Sequence, residues 1–332
     1  MLFEKGFLRL TDANLNRAKE GLRVLEDVAR FVLEDAVLVE AGRSIRHSLS
    51  KYYSQVEQEQ QVAARDAAHD LGAGFGVPTR KSLRHIILAN AHRAEEALRV
   101  LEEFSAQPDP LKDLRYGVYE LEKNLLKAAS LFPFMRGALY IITDSLEQAR
   151  MGLQQGASVL QLRDKNSSMA EIKTKAFEFR ALADEFNAAF IVNDYPEIAV
   201  EVLADGVHLG QSDMSVAEAR KILKPFQIVG KSSHAIAQAR QVVADGCDYF
   251  AVGPIHATPT KAGKAAVTVS YLKEVVAENF KVPFVTIGGL NLSNVDEVLA
   301  LGARNVAIVR AISESGAIIQ KLQAILAKKP NK

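Results

Sequence analysis

The chain has 332 residues, which is long for one average domain and predicts two. Lysine and arginine total 41 against 40 for aspartate and glutamate, and this balance argues against a nucleic-acid or membrane surface and favours a small-molecule ligand. The only cysteine, Cys247, excludes an internal disulfide, and no apolar run has the length of a signal-peptide core or a membrane span, so we expect a cytoplasmic protein.

Residues 1–130 have the apolar spacing of an all-helical domain. In LNRAKEGLRVLEDVARFVL, apolar residues recur three and four positions apart, which places them on one helix face. That face consists of Leu15, Ala18, Leu22, Leu25, Val28 and Ala29. We expect Thr11 or Asp12 to cap the start of this helix.

An internal repeat lies within this domain. NLNRAKEGLRVLED begins at Asn14, and NAHRAEEALRVLEE begins at Asn90. The charged residues Arg17, Glu20, Arg23 and Glu26 recur as Arg93, Glu96, Arg99 and Glu102. A shared core pattern does not require shared charges, so we interpret the repeat as an internal duplication with paired helices. The alternative is two bundle helices that converged on the same favoured residues.

The stretch between the repeats, residues 65–80, is rich in glycine and polar residues and reads as a loop. It contains Arg65, Asp66, Asp70 and Arg80. These charges, together with the charged repeat, fit either a phosphate and metal site or a solvated interface, and both interpretations stay open.

From about residue 137 short β-branched runs alternate with helical patterns, and FPFMRG at 132–137 is a plausible junction. The predicted strands are 138–143, 158–163, 189–194, 206–210, 228–233, 249–253, 284–288 and 306–309. Strict alternation implies parallel strands with right-handed crossovers. The fold class is therefore α/β, with a C-terminal (β/α)₈ TIM barrel over about 137–327 preceded by the all-α domain. A doubly wound open sheet is the alternative.

In such a barrel the active site lies at the carboxyl ends of the strands. After the second strand, alternation puts Gln161, Arg163 and Lys165 on the same side. Two cations there suit a diphosphate, because arginine offers a planar fork and lysine a point charge. The competing interpretation is a local salt bridge to Asp164.

Asn193 and Asp194 follow the third strand, and Asp213 follows the fourth. Two carboxylates at adjacent strand ends can share one Mg²⁺ together with phosphate oxygens and water. Either aspartate alone would more simply be a helix N-cap. We expect His208, within the fourth strand, to be a packed barrel residue, since no partner histidine has metal-ligand spacing.

The remaining strand ends predict a second anion site. Ser232 follows the fifth strand, and the sixth leads into Thr258, Thr260 and Lys261 of TPTK. Gly288-Gly289 follows the seventh and Val309-Arg310 the eighth, which is the usual place for a phosphate in this fold. No nucleophile arrangement stands out. The residues thus suggest displacement of diphosphate by an acceptor that carries a phosphate.

The motifs YIITD, QLRDK, VNDYPEIA, DGVHLGQSDM, GKSSH, VGPIHATPTKAG and IGGL occur in this order. Together they resemble the thiamine phosphate synthase family over residues 137–327. The resemblance implies a (β/α)₈ transferase that joins hydroxymethylpyrimidine diphosphate to thiazole phosphate, with or without a carboxylate on the thiazole. Pyrophosphate is released with the help of Mg²⁺.

The resemblance also implies roles for individual residues. Gln161, Arg163, Lys165 and Asn193 would hold the pyrimidine diphosphate, Asp194 and Asp213 would bind Mg²⁺, and Ser232 and Lys261 would contact the diphosphate. Thr258, Thr260, Gly288 or Gly289, Val309 and Arg310 would hold the thiazole phosphate. Arg163, Lys261 and Ser232 would serve catalysis directly. Arg310 departs from the family pattern, in which many members have serine there, so its contact with the phosphate is open.

The family's mechanism requires no enzyme base or nucleophile. The C–O bond ionises to a pyrimidinylmethyl cation that the ring amino group stabilises, and the protein neutralises the departing pyrophosphate. A thiazole tautomerase resembles the synthase without the full diphosphate apparatus, and Arg163, Lys165, Asp194, Asp213 and Lys261 argue against it. A non-catalytic sensor of phosphorylated ligands is the alternative from another class.

The helical domain has a weaker resemblance. ANLNRAKEGLRVLED is similar to a domain fused ahead of some thiamine phosphate synthases and associated with phosphomethylpyrimidine kinase activity. That resemblance implies a bifunctional enzyme. The alternative is an interaction module through which the protein forms a homo-oligomer.

Overall fold

The structure is a computed structural model that describes residues 2–53, 55–66, 79–257 and 268–328. The chain divides into two compact units, Met1–Ala129 and Ser130–Lys332. None of the helices formed by the described residues is both long enough and apolar enough to cross a membrane.

The first unit is helical, as predicted. Its helices are α1 (Leu2–Asp27), α2 (Ala36–Tyr52), α3 (Gln55–Ala63), α4 (Leu83–Glu103) and α5 (Asp109–Arg136), the last of which ends in the second unit. A π-helical segment, Val28–Leu33, follows α1 directly. It stops at Glu34, whose positive φ of 54° turns the chain, and Asp35 then caps α2 by accepting from the N–H groups of Val37 and Leu38.

The predicted cap at Thr11 or Asp12 is wrong. Helix α1 begins at Leu2 and runs through both residues. Asp12 is buried and accepts hydrogen bonds at 2.6 Å from Nε and 2.7 Å from Nη2 of Arg65. Its carboxylate is therefore engaged by a distant guanidinium, and no local breaker interrupts the helix at this point.

Equivalent residues of the two sequence repeats also make equivalent contacts. Asn14 Nδ2 donates to the Leu10 carbonyl at 2.9 Å, and Asn90 Nδ2 donates to the Ile86 carbonyl at 2.8 Å, so both asparagines bond the carbonyl four residues earlier. The helices α1 and α4 also approach closely. A Cβ atom on Gly21 would lie 2.6 Å from the Asn90 carbonyl oxygen, so only glycine fits there without a shift.

The buried glutamates at the ends of the repeats are also equivalent. Glu26 accepts from Arg46 Nε on α2 at 2.8 Å, and Glu102 accepts from Arg115 Nε on α5 at 2.5 Å. The glutamate side chains are only 2% and 4% exposed. Because a buried carboxylate requires a partner, each repeat supplies one on its second helix. The repeating unit is thus a helix pair, which supports the duplication.

The second unit is a closed parallel barrel with the strand order β1-β2-β3-β4-β5-β6-β7-β8. The strands are β1 (Leu139–Thr143), β2 (Val159–Leu162), β3 (Ala189–Asn193), β4 (Gly206–Leu209), β5 (Ile228–Ser233), β6 (Tyr249–Val252), β7 (Phe284–Ile287) and β8 (Val306–Ile308). The helices are α6 (Leu146–Gln154), α7 (Met169–Glu185), α8 (Pro196–Glu201), α9 (Val216–Ile222), α10 (Ile236–Ala244), α11 (Thr268–Glu278), α12 (Val295–Ala300) and α13 (Ser315–Lys328). The predicted barrel is confirmed, and the open sheet is excluded because β1 pairs with β8.

Two apolar clusters hold the barrel together. One lies between the strands and the surrounding helices, and a smaller one fills the interior and includes Phe134, Tyr140 and Tyr249. Phe134 belongs to the segment 132–137, for which the sequence predicted a junction. That segment is helical through Arg136, and the Phe134 ring stacks on Tyr249 with centroids 4.5 Å apart. Burial of this aromatic ring fixes the end of α5 against the interior of the barrel.

Candidate active site

A cavity of about 640 Å³ opens among the residues at the carboxyl ends of the strands. Its lining includes the predicted site residues Gln161, Arg163, Lys165, Asn193, Asp194, Asp213, Ser232, Gly288, Gly289, Val309 and Arg310. The predicted residues Thr258, Thr260 and Lys261 lie outside the described residues. The structure therefore brings together every described residue of the predicted set, while the role of each stays a prediction.

The end of β2 presents cations to the cavity. Arg163 lines it, and within the described part of the chain its guanidinium has neither a hydrogen bond nor an ion pair. Asp164 does not neutralise it, because that buried carboxylate accepts from Lys175 Nζ at 2.5 Å and from the N–H groups of Asn166 and Ser167. The local salt bridge considered for Asp164 is thus absent. These donors hold the pKa of Asp164 well below its usual range, with the lysine bond the largest cause.

Asp194 and Asp213 face each other across the ends of β3 and β4, and their carboxylates are close enough to hydrogen-bond. Neither aspartate caps a helix, since α8 begins after Tyr195 and α9 is capped by Ser215. Asp194 forms a short ion pair with Lys165, and Asp213 Oδ2 accepts from the Gly210 N–H at 2.6 Å. The cap alternative is therefore wrong for both.

The pKa values of the two carboxylates shift in opposite directions. Burial raises the pKa of Asp194, and the nearby Asp213 adds to that effect against the attraction of Lys165. Burial also acts to raise the pKa of Asp213, but hydrogen bonds from Asp194 and from the Gly210 N–H outweigh it and lower that pKa. The close approach of Asp213 therefore disfavours simultaneous ionisation of the two carboxylates, as it does for neighbouring carboxylates in general.

This donor set fits Mg²⁺. Hard oxygen ligands are what the ion prefers, and one or two carboxylates suffice when phosphate and water supply the rest. A cation between Asp194 and Asp213 would offset the repulsion between their carboxylates, which adds to the effect of burial on the pKa of Asp194.

The turn after β7 shapes the part of the cavity next to β7 and β8. Gly288 has a φ of +110°, and a Cβ atom there would lie 2.3 Å from Pro254 Cα. Glycine is thus required both by the backbone conformation and by the close approach of the loop after β6. Arg310, beyond β8, is exposed and lines the same cavity. The Gly-Gly signal therefore has a packing explanation alongside any phosphate contact.

Comparisons with known proteins decide the family. Residues 139–312 match the model for thiamine monophosphate synthase. Thiamine-phosphate synthase from Synechocystis sp. is 40% identical over 319 residues, covering 92% of each chain. The chain belongs to the thiamine monophosphate synthase family. A second relative of the same name, from Thermosynechococcus vestitus, is also 40% identical and is covered over 90% of its length.

Two further matches extend this result. The solved thiamine phosphate pyrophosphorylase of Pyrococcus furiosus is 31% identical and superimposes with a TM-score of 0.52, covering 58% of this chain and 96% of that one. Residues 9–124 match the model of the ThiD2 family. The synthase family member described here is accordingly a transferase of the thiamine-phosphate synthase type with a ThiD2 region ahead of its barrel.

Two buried polar residues, one in the cavity lining and one beside it, were not predicted as site residues. His208 is buried, as expected, but it also lines the cavity and hydrogen-bonds Ser232 Oγ and the Tyr249 hydroxyl. Lys231 is buried and donates to the Met214 carbonyl at 2.8 Å, which ties β5 to the loop that carries Asp213. A polar residue inside a strand was the available signal for both, since such residues need partners when buried.

The ThiD2 region of the family member contains one side-chain group with metal-ligand composition among the described residues: His92, Glu95 and Glu122. Burial raises the pKa of Glu95 to about 7, and repulsion from Glu122 contributes. In contrast, the repeated Arg17 and Arg93 are exposed, and the repeated Glu26 and Glu102 are buried in ion pairs. Glu26 and Glu102 of the charged repeat therefore hold the helices together.

Proposed function

We propose that the barrel joins hydroxymethylpyrimidine diphosphate to a thiazole phosphate by displacement of pyrophosphate. The observation that carries this proposal is that one cavity contains both the Asp194–Asp213 pair and the guanidinium of Arg163. A diphosphate with its divalent cation needs both kinds of group within reach. A tautomerase or a sensor of monophosphates would not require the carboxylate pair.

The pyrimidine diphosphate is assigned to the ends of β2, β3 and β5. Gln161 and Asn193 offer amide groups to the pyrimidine, whose ring nitrogens and amino group need acceptors and donors. Arg163 and Lys165 face the diphosphate, and Ser232 donates to one of its oxygens. The support for this assignment is that all of these side chains line one cavity.

Mg²⁺ is assigned to Asp194 and Asp213. When bound, the ion supplies positive charge to the diphosphate oxygens and so makes pyrophosphate a better leaving group. Lys165, now paired with Asp194, is then free to turn toward the diphosphate. Arg163 and Lys261 add the remaining positive charge, although Lys261 lies outside the described residues.

The thiazole phosphate is assigned to the ends of β7 and β8. Gly288 or Gly289, Val309 and Arg310 line that part of the cavity, and Thr258 and Thr260 would add hydroxyl donors. With both substrates held, the C–O bond of the pyrimidine ionises, and the thiazole nitrogen attacks the resulting cation. The protein contributes orientation and charge neutralisation, and no side chain has to act as base.

For the ThiD2 region we propose phosphomethylpyrimidine kinase activity, which would supply the diphosphate substrate from the monophosphate and ATP. The support is the match of residues 9–124 to the ThiD2 family and the resemblance of ANLNRAKEGLRVLED to a kinase-associated domain. A homo-oligomer built through this region is the competing proposal. A cytoplasmic location would suit both steps.

Two assays on the purified full chain test these proposals. The first supplies pyrimidine diphosphate, thiazole phosphate and Mg²⁺, and we expect thiamine phosphate and pyrophosphate. The second replaces the diphosphate with the monophosphate plus ATP, with a control that lacks ATP. Absence of product in the first assay overturns the synthase. Product in the first assay but not in the second overturns the kinase alone.

A further inference from the structure

A continuous relay of hydrogen bonds crosses the interior of the barrel below the cavity. Gln161 Nε2 donates to the Tyr140 hydroxyl at 2.7 Å, and the Tyr140 and Tyr249 hydroxyl oxygens are 3.0 Å apart. His208 Nδ1 lies 3.1 Å from the Tyr249 hydroxyl, and His208 Nε2 lies 3.1 Å from Ser232 Oγ. The relay therefore links β2, β1, β6, β4 and β5 in turn.

Both ends of this relay line the cavity, while its two tyrosines lie beneath the cavity floor. Gln161 and Ser232 face the cavity, and Tyr140 and Tyr249 are 2% and 0% exposed. Burial raises the pKa of both phenols, so both carry their protons. A buried polar network of this kind is stable only when every proton has an acceptor.

That requirement gives the relay a direction. With the Gln161 amide oriented as it is in the structure, Nε2 donates and the Tyr140 oxygen accepts, so the Tyr140 proton goes to Tyr249. The Tyr249 proton then goes to His208 Nδ1, which must be an acceptor. A neutral imidazole that accepts at Nδ1 carries its proton at Nε2. That N–H donates to Ser232 Oγ, and the serine proton is left to point elsewhere.

We propose that Tyr140, Tyr249 and His208 are positioning residues that hold His208 as the Nε2–H tautomer and thereby direct the Ser232 hydroxyl proton into the cavity, toward the departing pyrophosphate. The inference rests on the proposed function for its ligand. Diphosphate oxygens only accept hydrogen bonds, so a hydroxyl that faces them has to donate. The reverse direction would leave Ser232 donating to His208 and presenting lone pairs to an anion.

The same direction of hydrogen bonding also suits Gln161, at the other end of the relay. With its amide nitrogen committed to Tyr140, Gln161 has its carbonyl oxygen available as an acceptor, which is what an exocyclic amino group of the pyrimidine requires. One buried network thus sets the donor or acceptor character of two cavity groups that lie on different strands.

The direct test is ¹⁵N NMR of the full chain labelled at histidine. The chain has seven histidines, and comparison with His208→Gln assigns the His208 signals. We expect His208 to be the Nε2–H tautomer in the ligand-free protein. An Nδ1–H tautomer overturns the proposal. Because this readout needs no substrate, it stands or falls separately from the synthase assay.

Kinetics of Tyr249→Phe supply the second test. Loss of the donor to Nδ1 should release the tautomer, and kcat should fall about tenfold with little change in KM, the size expected for one hydrogen bond to a charged group. Ser232→Ala should lose a similar factor, and the double variant no more than Ser232→Ala alone. Independent, multiplying losses would contradict a shared pathway.

Tyr271→Phe is the matched control. Tyr271 is also buried, and its hydroxyl lies 2.6 Å from Oγ of Ser233, which is next to the relay in sequence but outside it. This variant should keep both the His208 tautomer and kcat. If Tyr271→Phe and Tyr249→Phe have equal effects on kcat, the loss reflects general packing and the relay is refuted. Should Tyr249→Phe not fold, the wild-type tautomer still decides.

Discussion

At the scale of single residues, Asp194 combines a special backbone with a special charge. Its φ of 67° lies in the left-handed region, where aspartate and asparagine are tolerated better than other non-glycine residues. Its carboxylate is paired with Lys165 and faces Asp213. An asparagine substitution therefore preserves shape and backbone while removing only the charge, which makes it a sharper probe than alanine.

We predict that Asp194→Asn and Asp213→Asn each nearly abolish synthase turnover and that the fold is retained. Both side chains lie at strand ends, and the amide oxygen that replaces the Asp213 carboxylate can still accept the Gly210 N–H. The measurement is steady-state turnover against Mg²⁺ concentration, with circular dichroism as the fold check. Asp164→Asn is a useful comparison, because that carboxylate is tied to Lys175 and should affect stability more than Mg²⁺ dependence. Turnover near the wild-type rate at limiting Mg²⁺ would refute the metal assignment.

At the scale of elements, the close contact of α1 and α4 depends on Gly21. We predict that Gly21→Ala destabilises the first unit by roughly 1–3 kcal/mol, because the added methyl group would lie 2.6 Å from the Asn90 carbonyl oxygen. Gly6→Ala on the same helix has nothing within 4 Å of its new methyl group and should stabilise by up to about 1 kcal/mol. Urea unfolding followed by circular dichroism compares the two. Equal effects would mean that the helices separate more easily than the packing indicates.

The contact between α4 and α5 predicts a pH-dependent stability. Burial and the nearby Glu122 raise the pKa of Glu95 to about 7 in the folded chain, against an ordinary value of 4.5. The folded state thus retains a proton that the unfolded state loses, so the contribution of this group to stability is lost as pH rises from 4.5 through 7.

Replacement of Glu95 by glutamine removes that loss. We expect Glu95→Gln to melt at a higher temperature than the wild type at about pH 8 and at nearly the same temperature at about pH 4.5. Differential scanning calorimetry at both pH values measures the difference. The exposed neighbour Glu96 serves as the control, since Glu96→Gln should give similar small differences at both pH values. A wild-type advantage at the higher pH would contradict the assigned repulsion.

At the scale of the whole molecule, we assign the two proposed steps to the two compact units. We predict that the full-length Asp213→Asn variant, given pyrimidine monophosphate, ATP and thiazole phosphate, accumulates pyrimidine diphosphate and forms little thiamine phosphate. The substitution removes a barrel carboxylate and leaves residues 9–124 unchanged. Phosphorus NMR of the mixture measures both products. Loss of diphosphate formation together with thiamine phosphate would place the kinase step in the barrel.

Much of the barrel site follows from local patterns. Strand and helix periods are properties of short segments, and parallel strands necessarily bring their carboxyl ends to one edge. Knowing the strands was therefore enough to gather Arg163, Asn193, Asp194 and Ser232. The helical repeat was visible for the same reason, because its residues are consecutive. The TPTK loop was also conspicuous in sequence, yet its contacts remain a prediction.

Partner choice is what only the tertiary structure decided. Asp12 looked like a helix cap and pairs with Arg65, and Asp164 could have paired with its neighbours but binds Lys175. The relay from Gln161 to Ser232 joins five strands, and its two tyrosines are 109 positions apart. Local sequence determines periodicity and turn chemistry. The hydrogen-bond partner of a buried polar atom is whichever polar group the folded chain brings within about 3 Å of it. That distance exists only once the chain has folded.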